Sequence, residues 1–292
     1  MDSKFKARKL FRLIFEVFIY SAIITLILFI LNIEGIGKKE LIKSFFPISY
    51  NLYWFINAYI GIYIFFPFIN KLIRNINKDY FKTLLIILFI TQSLIPVIIP
   101  KSDPFEGTIF SAVYMYLIGA YIKIYNIGRI DNKRNSLKIL ISTYFCLFII
   151  AIMCNLFTMS GVTYLSSRMK YFPEILISIS MFMLFKNINL KRYSKVIELV
   201  SSSTLVVYLL HDNTFFRNIL WNDIFNANKV YFVSPIYLIS HIVICISSIF
   251  IIGILFNYII KSLLEKKILK IKILEYVFEK IDIKMNNNYK ID

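Results

Sequence analysis

Residues 13–31 read LIFEVFIYSAIITLILFIL, nineteen positions in which Glu16 is the single charge. A bilayer's hydrocarbon core is about 30 Å thick and takes about 20 apolar residues to cross as an α-helix. Within lipid the backbone must satisfy its own N–H and C=O groups, and a helix does so inside one segment. The run is longer than the apolar stretch of a cleavable leader, and no small-residue cleavage site follows it. It reads as a retained first span.

Seven further apolar runs follow, at 51–70, 83–100, 108–125, 137–157, 171–187, 197–213 and 234–260. The whole chain shares this character: 58% of its 292 residues are hydrophobic, where soluble domains average about 45–50%. The expected fold class is therefore all-α, a polytopic membrane helix bundle of about eight transmembrane helices. No block large enough for a separate soluble domain is present. We expect a membrane domain over 1–260 and a cytoplasmic amphipathic tail over 261–292, where SLLEKKILKIKILEYVFEKIDIK (262–284) alternates apolar pairs with lysines. A helix of that pattern suits the plane of the inner leaflet.

Charge tests the span count independently. The eight runs separate nine hydrophilic segments. With each Lys or Arg near the end of a run assigned to the loop it borders, the odd-numbered ones hold 26 of the 34 Lys and Arg, and the even-numbered ones hold 8. Basic residues collect on the cytoplasmic side of short loops, so this alternation places both termini in the cytoplasm. The net charge of +17 then follows from topology and anionic lipid, and no nucleic-acid partner is implied. Cys146, Cys154 and Cys245 sit inside apolar runs without paired spacing, which reads as packing and gives no metal site.

Ionisable and hydrogen-bonding groups at membrane depth are costly, so each is a candidate for function. VYLLHDNTFF (207–216) ends an apolar run with His211, Asp212 and Asn213 together. Two readings stand: an acid–base site, in which Asp212 tunes the imidazole, or a polar helix terminus, in which Asp212 or Asn213 ends one helix or caps the next. FFRNILWNDIF (215–225) interleaves Arg217, Trp221 and Asp223 with apolar residues and suits an interfacial or re-entrant piece. The second run carries Tyr53, Trp54, Asn57, Tyr59 and Tyr63, and Pro67 is expected to kink or end it. The basic set Lys4, Lys6, Arg8, Lys9 and Arg12 suits either a phosphate-rich ligand or topology alone. His241 is expected to bond between helices. There is no GxSxG, Walker loop, HExxH or paired-cysteine zinc motif.

Two stretches carry a family likeness. LYWFINAYIGIYIFFPFINKLI (52–73) resembles a helix of the integral membrane acyltransferases, the acyltransferase-3 family, and VVYLLHDNTFFRNILW (206–221) resembles a late helix of its polysaccharide O-acetyltransferase branch. MYLIGAYIKIYNI (115–127) is similar to a third family span, in the same order. The resemblance implies a membrane-bound O-acyltransferase of the plasma membrane, moving acetyl from acetyl-CoA as cosubstrate to a cell-surface polysaccharide or its lipid-linked precursor. No tightly bound cofactor is implied. Lys9 and Arg12 fall at the family's basic element and would meet the CoA phosphates. Trp54, Tyr59, His211, Asp212 and Asn213 would line the acceptor side. The eight runs correspond to spans three to ten of the family. Its catalytic histidine lies on span one, so neither His211 nor His241 inherits that role, and the catalytic residue is unknown. The resemblance leaves three expectations: a clipped gene product, a chain acting with another polypeptide, or a non-catalytic remnant. A transporter or flippase for lipid-linked sugars is the alternative from another class, and it would call for broken helices and internal repeats.

Overall fold

A computed structural model describes residues 4–99, 108–125, 128, 130–156, 171–189, 194–230, 234–268 and 272–287. Among them the backbone forms helices, turns and connecting segments, with no strand. The elements are α1 (Ala7–Ile30), α2 (Lys38–Ser44), α3 (Trp54–Asn75), α4 (Lys78–Ile98, π-helical over Ile90–Leu94), α5 (Thr108–Tyr125), α6 (Lys133–Leu156), α7 (Phe172–Lys186) and α8 (Lys195–His211). A π-helical turn (Ile219–Ile224), α9 (Ala227–Val230), α10 (Pro235–Ile268) and α11 (Lys272–Asn287) complete them. Each of the eight expected runs carries a helix. Five of these helices, α1, α3, α4, α6 and α10, are long and apolar enough to cross a membrane.

The outward faces confirm the solvent these helices are built for. Along α6, Phe145 and Phe148 are each 61% exposed and Ile152 is 44% exposed. A face of large apolar side chains is stable against lipid tails and would not be left to water. Pro67 lies within α3, which runs on to Asn75, so it does not end the helix. Intramembrane helices tolerate proline because neighbouring groups re-satisfy the freed carbonyl. α10 passes residue 260 unbroken, so the membrane helix and the first part of the basic tail are one rod.

The chain divides into two compact units, Met1–Tyr63 with Tyr193–Asp292, and Ile64–Arg192. In the first, Val17, Tyr20, Ile24 and Leu28 recur at helical spacing on α1. They bury against Leu52, Tyr53, Ile56 and Ile60 around α3, and against Val206, Leu209 and Leu210 of α8. A buried polar chain locks three helices together at this core. Tyr20 Oη donates to Asn257 Oδ1 at 2.9 Å, and Asn257 Nδ2 donates to Ser203 Oγ at 2.9 Å. α10 meets α8 at Gly253, where a Cβ would come 2.6 Å from Val207 Cγ2 and 3.3 Å from its Cα. Only glycine allows that approach.

In the second unit, α6 packs along α7. Asn77 caps α4 by accepting from Tyr80 N at 2.9 Å. Asp131, before α6, accepts from Lys186 Nζ at 2.6 Å and Asn187 Nδ2 at 2.9 Å, tying the end of α7 to that turn.

Candidate functional site

The first unit carries an open cavity of about 630 Å³. Its wall is apolar over most of its area, from Leu10 and Leu13 of α1, Phe55 and Ile56 of α3, Leu205 and Val207 of α8, and Phe250 of α10. Polar groups enter it at Lys9, Tyr59, Tyr63, Thr204, Tyr208 and His211. Phe55 and Tyr63 are separated by eight residues, so the lining extends about 12 Å along α3. Such a mostly apolar recess with a few placed polar groups is the usual form of a small-molecule site.

His211 closes α8. Its Nδ1 lies 2.8 Å from Val207 O, one helical turn back. A carbonyl oxygen only accepts, so Nδ1 is the donor in this contact and Nε2 is the ring nitrogen left for another partner. The ring is held edge-on by two aromatics, Tyr208 at 5.8 Å and Trp221 at 6.5 Å between centroids. Trp221 belongs to the π-helical turn and packs in turn on Phe225 at 5.7 Å. The interfacial reading of 215–225 therefore understates this tryptophan, which braces the imidazole.

The three adjacent polar residues part company. Asp212 pairs with Arg217, Oδ1 to Nη1 at 3.1 Å. Asn213 is wholly buried. Its Oδ1 accepts from Phe215 N at 2.9 Å and Phe216 N at 3.1 Å, and its Nδ2 donates to Tyr53 Oη at 2.7 Å. Thr214 Oγ1 adds a bond to Leu52 O at 2.7 Å. Of the two readings of this triplet, the polar terminus accounts for Asp212 and Asn213, while His211 alone faces the cavity.

Among the described residues, the cavity brings together Lys9, Tyr59 and His211 of the expected site. Trp54, 39% exposed, stacks edge-on against Phe55 at 5.9 Å and is outside the lining. Arg12 pairs with Glu16 at 2.8 Å along α1. His241, expected to bond between helices, donates from Nε2 to Phe225 O at 2.8 Å, the carbonyl that ends the π-helical turn. Tyr63, named from sequence only for its hydroxyl, also lines the cavity and donates to Lys6 O at 3.2 Å. That bond seats the start of α1 against the middle of α3.

Lipid-facing helices that carry a polar-studded apolar recess define a polytopic membrane protein with a candidate site. The profile of the family described as "Acyltransferase domain", the acyltransferase-3 family, matches residues 2–271. The chain belongs to this family of membrane acyltransferases. Comparisons with curated proteins and with solved structures give no match.

Proposed function

We propose that the chain takes part in O-acetyl transfer from acetyl-CoA to a hydroxyl of a cell-surface polysaccharide or its lipid-linked precursor, at the plasma membrane. The observation that carries this reading is the cavity that gathers Lys9, Tyr59 and His211. Its apolar wall suits the uncharged arm and acyl end of a thioester, and the Lys9 ammonium suits a phosphate. Arg12, three residues on, widens the positive patch on the same helix. His211 Nε2 is the acceptor for a sugar hydroxyl, and Tyr59 offers a ring face and a hydroxyl to the same sugar.

In the transfer, the sugar oxygen attacks the thioester carbonyl, a C–O bond forms and the C–S bond breaks. The hydroxyl proton ends on the coenzyme A thiol by way of a general base. No residue of this chain is assigned as that base. His211 is an acceptor-binding residue, held by Val207 O, Tyr208 and Trp221.

The test is radiolabelled acetyl-CoA supplied to membranes of cells with and without the gene. Acetylated glycan should fall on deletion, and the purified chain should bind acetyl-CoA. Unchanged glycan acetylation together with no acetyl-CoA binding would end the proposal. His211→Ala should lower transfer with KM for the glycan raised more than kcat is reduced. Complete loss of turnover at saturating glycan would show that His211 does more than bind.

A further inference from the structure

A second recess, of about 710 Å³, lies in the other unit between α5 and α7, and the acyl-transfer reading makes no use of it. α5 contributes Met115, Ile118, Gly119, Ile122 and Lys123, and α7 contributes Ile175, Ser178, Ile179, Phe182 and Lys186. On each helix these positions form one stripe at i, i+3, i+4 and i+7 spacing, so both stripes face the same groove. On each helix the stripe ends with a lysine in the last turn.

We propose that this groove is a binding site for one anionic phospholipid, with an acyl chain along the stripes and the phosphate between Lys123 and Lys186. Three features converge on that occupant. Inside a bilayer an apolar groove is filled by hydrocarbon, because an empty one forfeits dispersion contacts along its whole wall. The stripes run eight residues on α5 and eleven on α7, about 12 and 16 Å, which is the depth of one leaflet of a 30 Å core. The two ammonium groups stand at one end of that length, where a headgroup phosphate belongs. Lys186 Nζ already donates to Asp131 Oδ2, but an ammonium has three donors. Asp131 is therefore a competitor for the charge that the lipid uses. The alternation of basic segments puts these helix ends on the cytoplasmic side, which carries the anionic lipid.

The test is native mass spectrometry of the full chain released from micelles containing phosphatidylglycerol or phosphatidylcholine with identical tails. A basic residue near anionic lipid changes affinity about fivefold. The wild type should therefore retain one phosphatidylglycerol about thirtyfold more tightly than phosphatidylcholine, two lysines acting together. Lys123→Ala with Lys186→Ala should remove that preference and leave phosphatidylcholine binding unchanged. Asp131→Asn should strengthen phosphatidylglycerol binding. A Cβ at Gly119 meets no atom within 4 Å, so Gly119→Leu fills the groove without disturbing the helix and should abolish retention of the lipid. Equal retention of the two lipids by the wild type overturns the proposal and needs no variant. So does retention that Gly119→Leu leaves untouched, or a dimer that Gly119→Leu dissociates, which would make a second copy the occupant.

Discussion

Replacing Asn213 by alanine tests the joint that holds the cavity's histidine in place. Two losses are expected. The side-chain Oδ1 that accepts from Phe215 N and Phe216 N disappears, and a lost cap of this kind costs about 1 kcal/mol. The Nδ2 donor to Tyr53 Oη disappears as well, leaving a hydroxyl on a residue only 1% exposed. An orphaned buried polar group costs about 1–3 kcal/mol. Asn213→Ala should therefore destabilise the fold by about 2–4 kcal/mol. Tyr53→Phe should cost about 1–3 kcal/mol, since it strands the Asn213 amide instead. The double variant should cost less than the sum, because neither partner is then left behind, with a coupling of about 0.5–3 kcal/mol. The assay is reversible unfolding in mixed micelles, titrated with denaturing detergent and followed by circular dichroism. Additivity within about 0.3 kcal/mol would refute the reasoning, because it would mean that the 2.7 Å contact stabilises nothing.

Other outcomes are expected of the same structure. Gly253→Leu should destabilise the α8–α10 contact by about 1–3 kcal/mol of overpacking, exceeding the gain of about 1 kcal/mol from replacing a helical glycine. Because Val207 lines the cavity, acetyl-CoA binding should weaken in the fraction that remains folded. Asn257→Leu should lower the thermal midpoint, since it removes the buried bonds to Tyr20 Oη and Ser203 Oγ together, and Tyr20→Phe in that background should recover part of the loss. Asp131 has its carboxyl held below the ordinary carboxylate range, first by its bond from Lys186 and then by that from Asn187. Its folded pKa is depressed, so its contribution is present above the ordinary Asp value of about 3.9 and fades as pH falls through the lowered one. Asp131→Asn should flatten the stability-against-pH curve in that acid window and leave its shape at neutral pH unchanged.

How far the sequence could be read depended on the range of the interaction. Each apolar run became a helix because that signal is local: length and hydropathy suffice where the backbone has no solvent to bond. The helices of 15 and 17 residues, α7 and α8, were legible as helices. At 1.5 Å per residue they extend about 22 and 25 Å, less than the roughly 30 Å core. The triplet at 211–213 was legible as an anomaly, because three polar side chains in lipid need a reason. Their separate roles were not, since neighbouring residues on a turning backbone point to different partners. The amide of Asn213 is answered from Tyr53, 160 positions away. Asn257 and Ser203 are unremarkable in their own runs and become a network only when Tyr20 arrives from α1. Gly253 carried no local signal either, since its glycine is required by the closeness of another helix.

The end of α11 gives the chain a constraint in time. Asp282 Oδ1 accepts from Ala7 N at 2.6 Å, and Asn286 Oδ1 accepts from Phe5 N at 2.8 Å while its Nδ2 donates to Phe5 O at 3.0 Å. Phe278 packs on Phe11 at 5.2 Å between ring centroids. The N–H of Ala7 that opens α1 is thus answered from α11, 275 positions later in the chain. At about 5–20 residues per second, α1 waits on the order of half a minute for that carboxylate. Until then its positive helix end is open to any anion nearby, including lipid phosphate. The seating of α1 in this bundle therefore waits for residue 282, and a ribosome that stops before it releases α1 without its clasp.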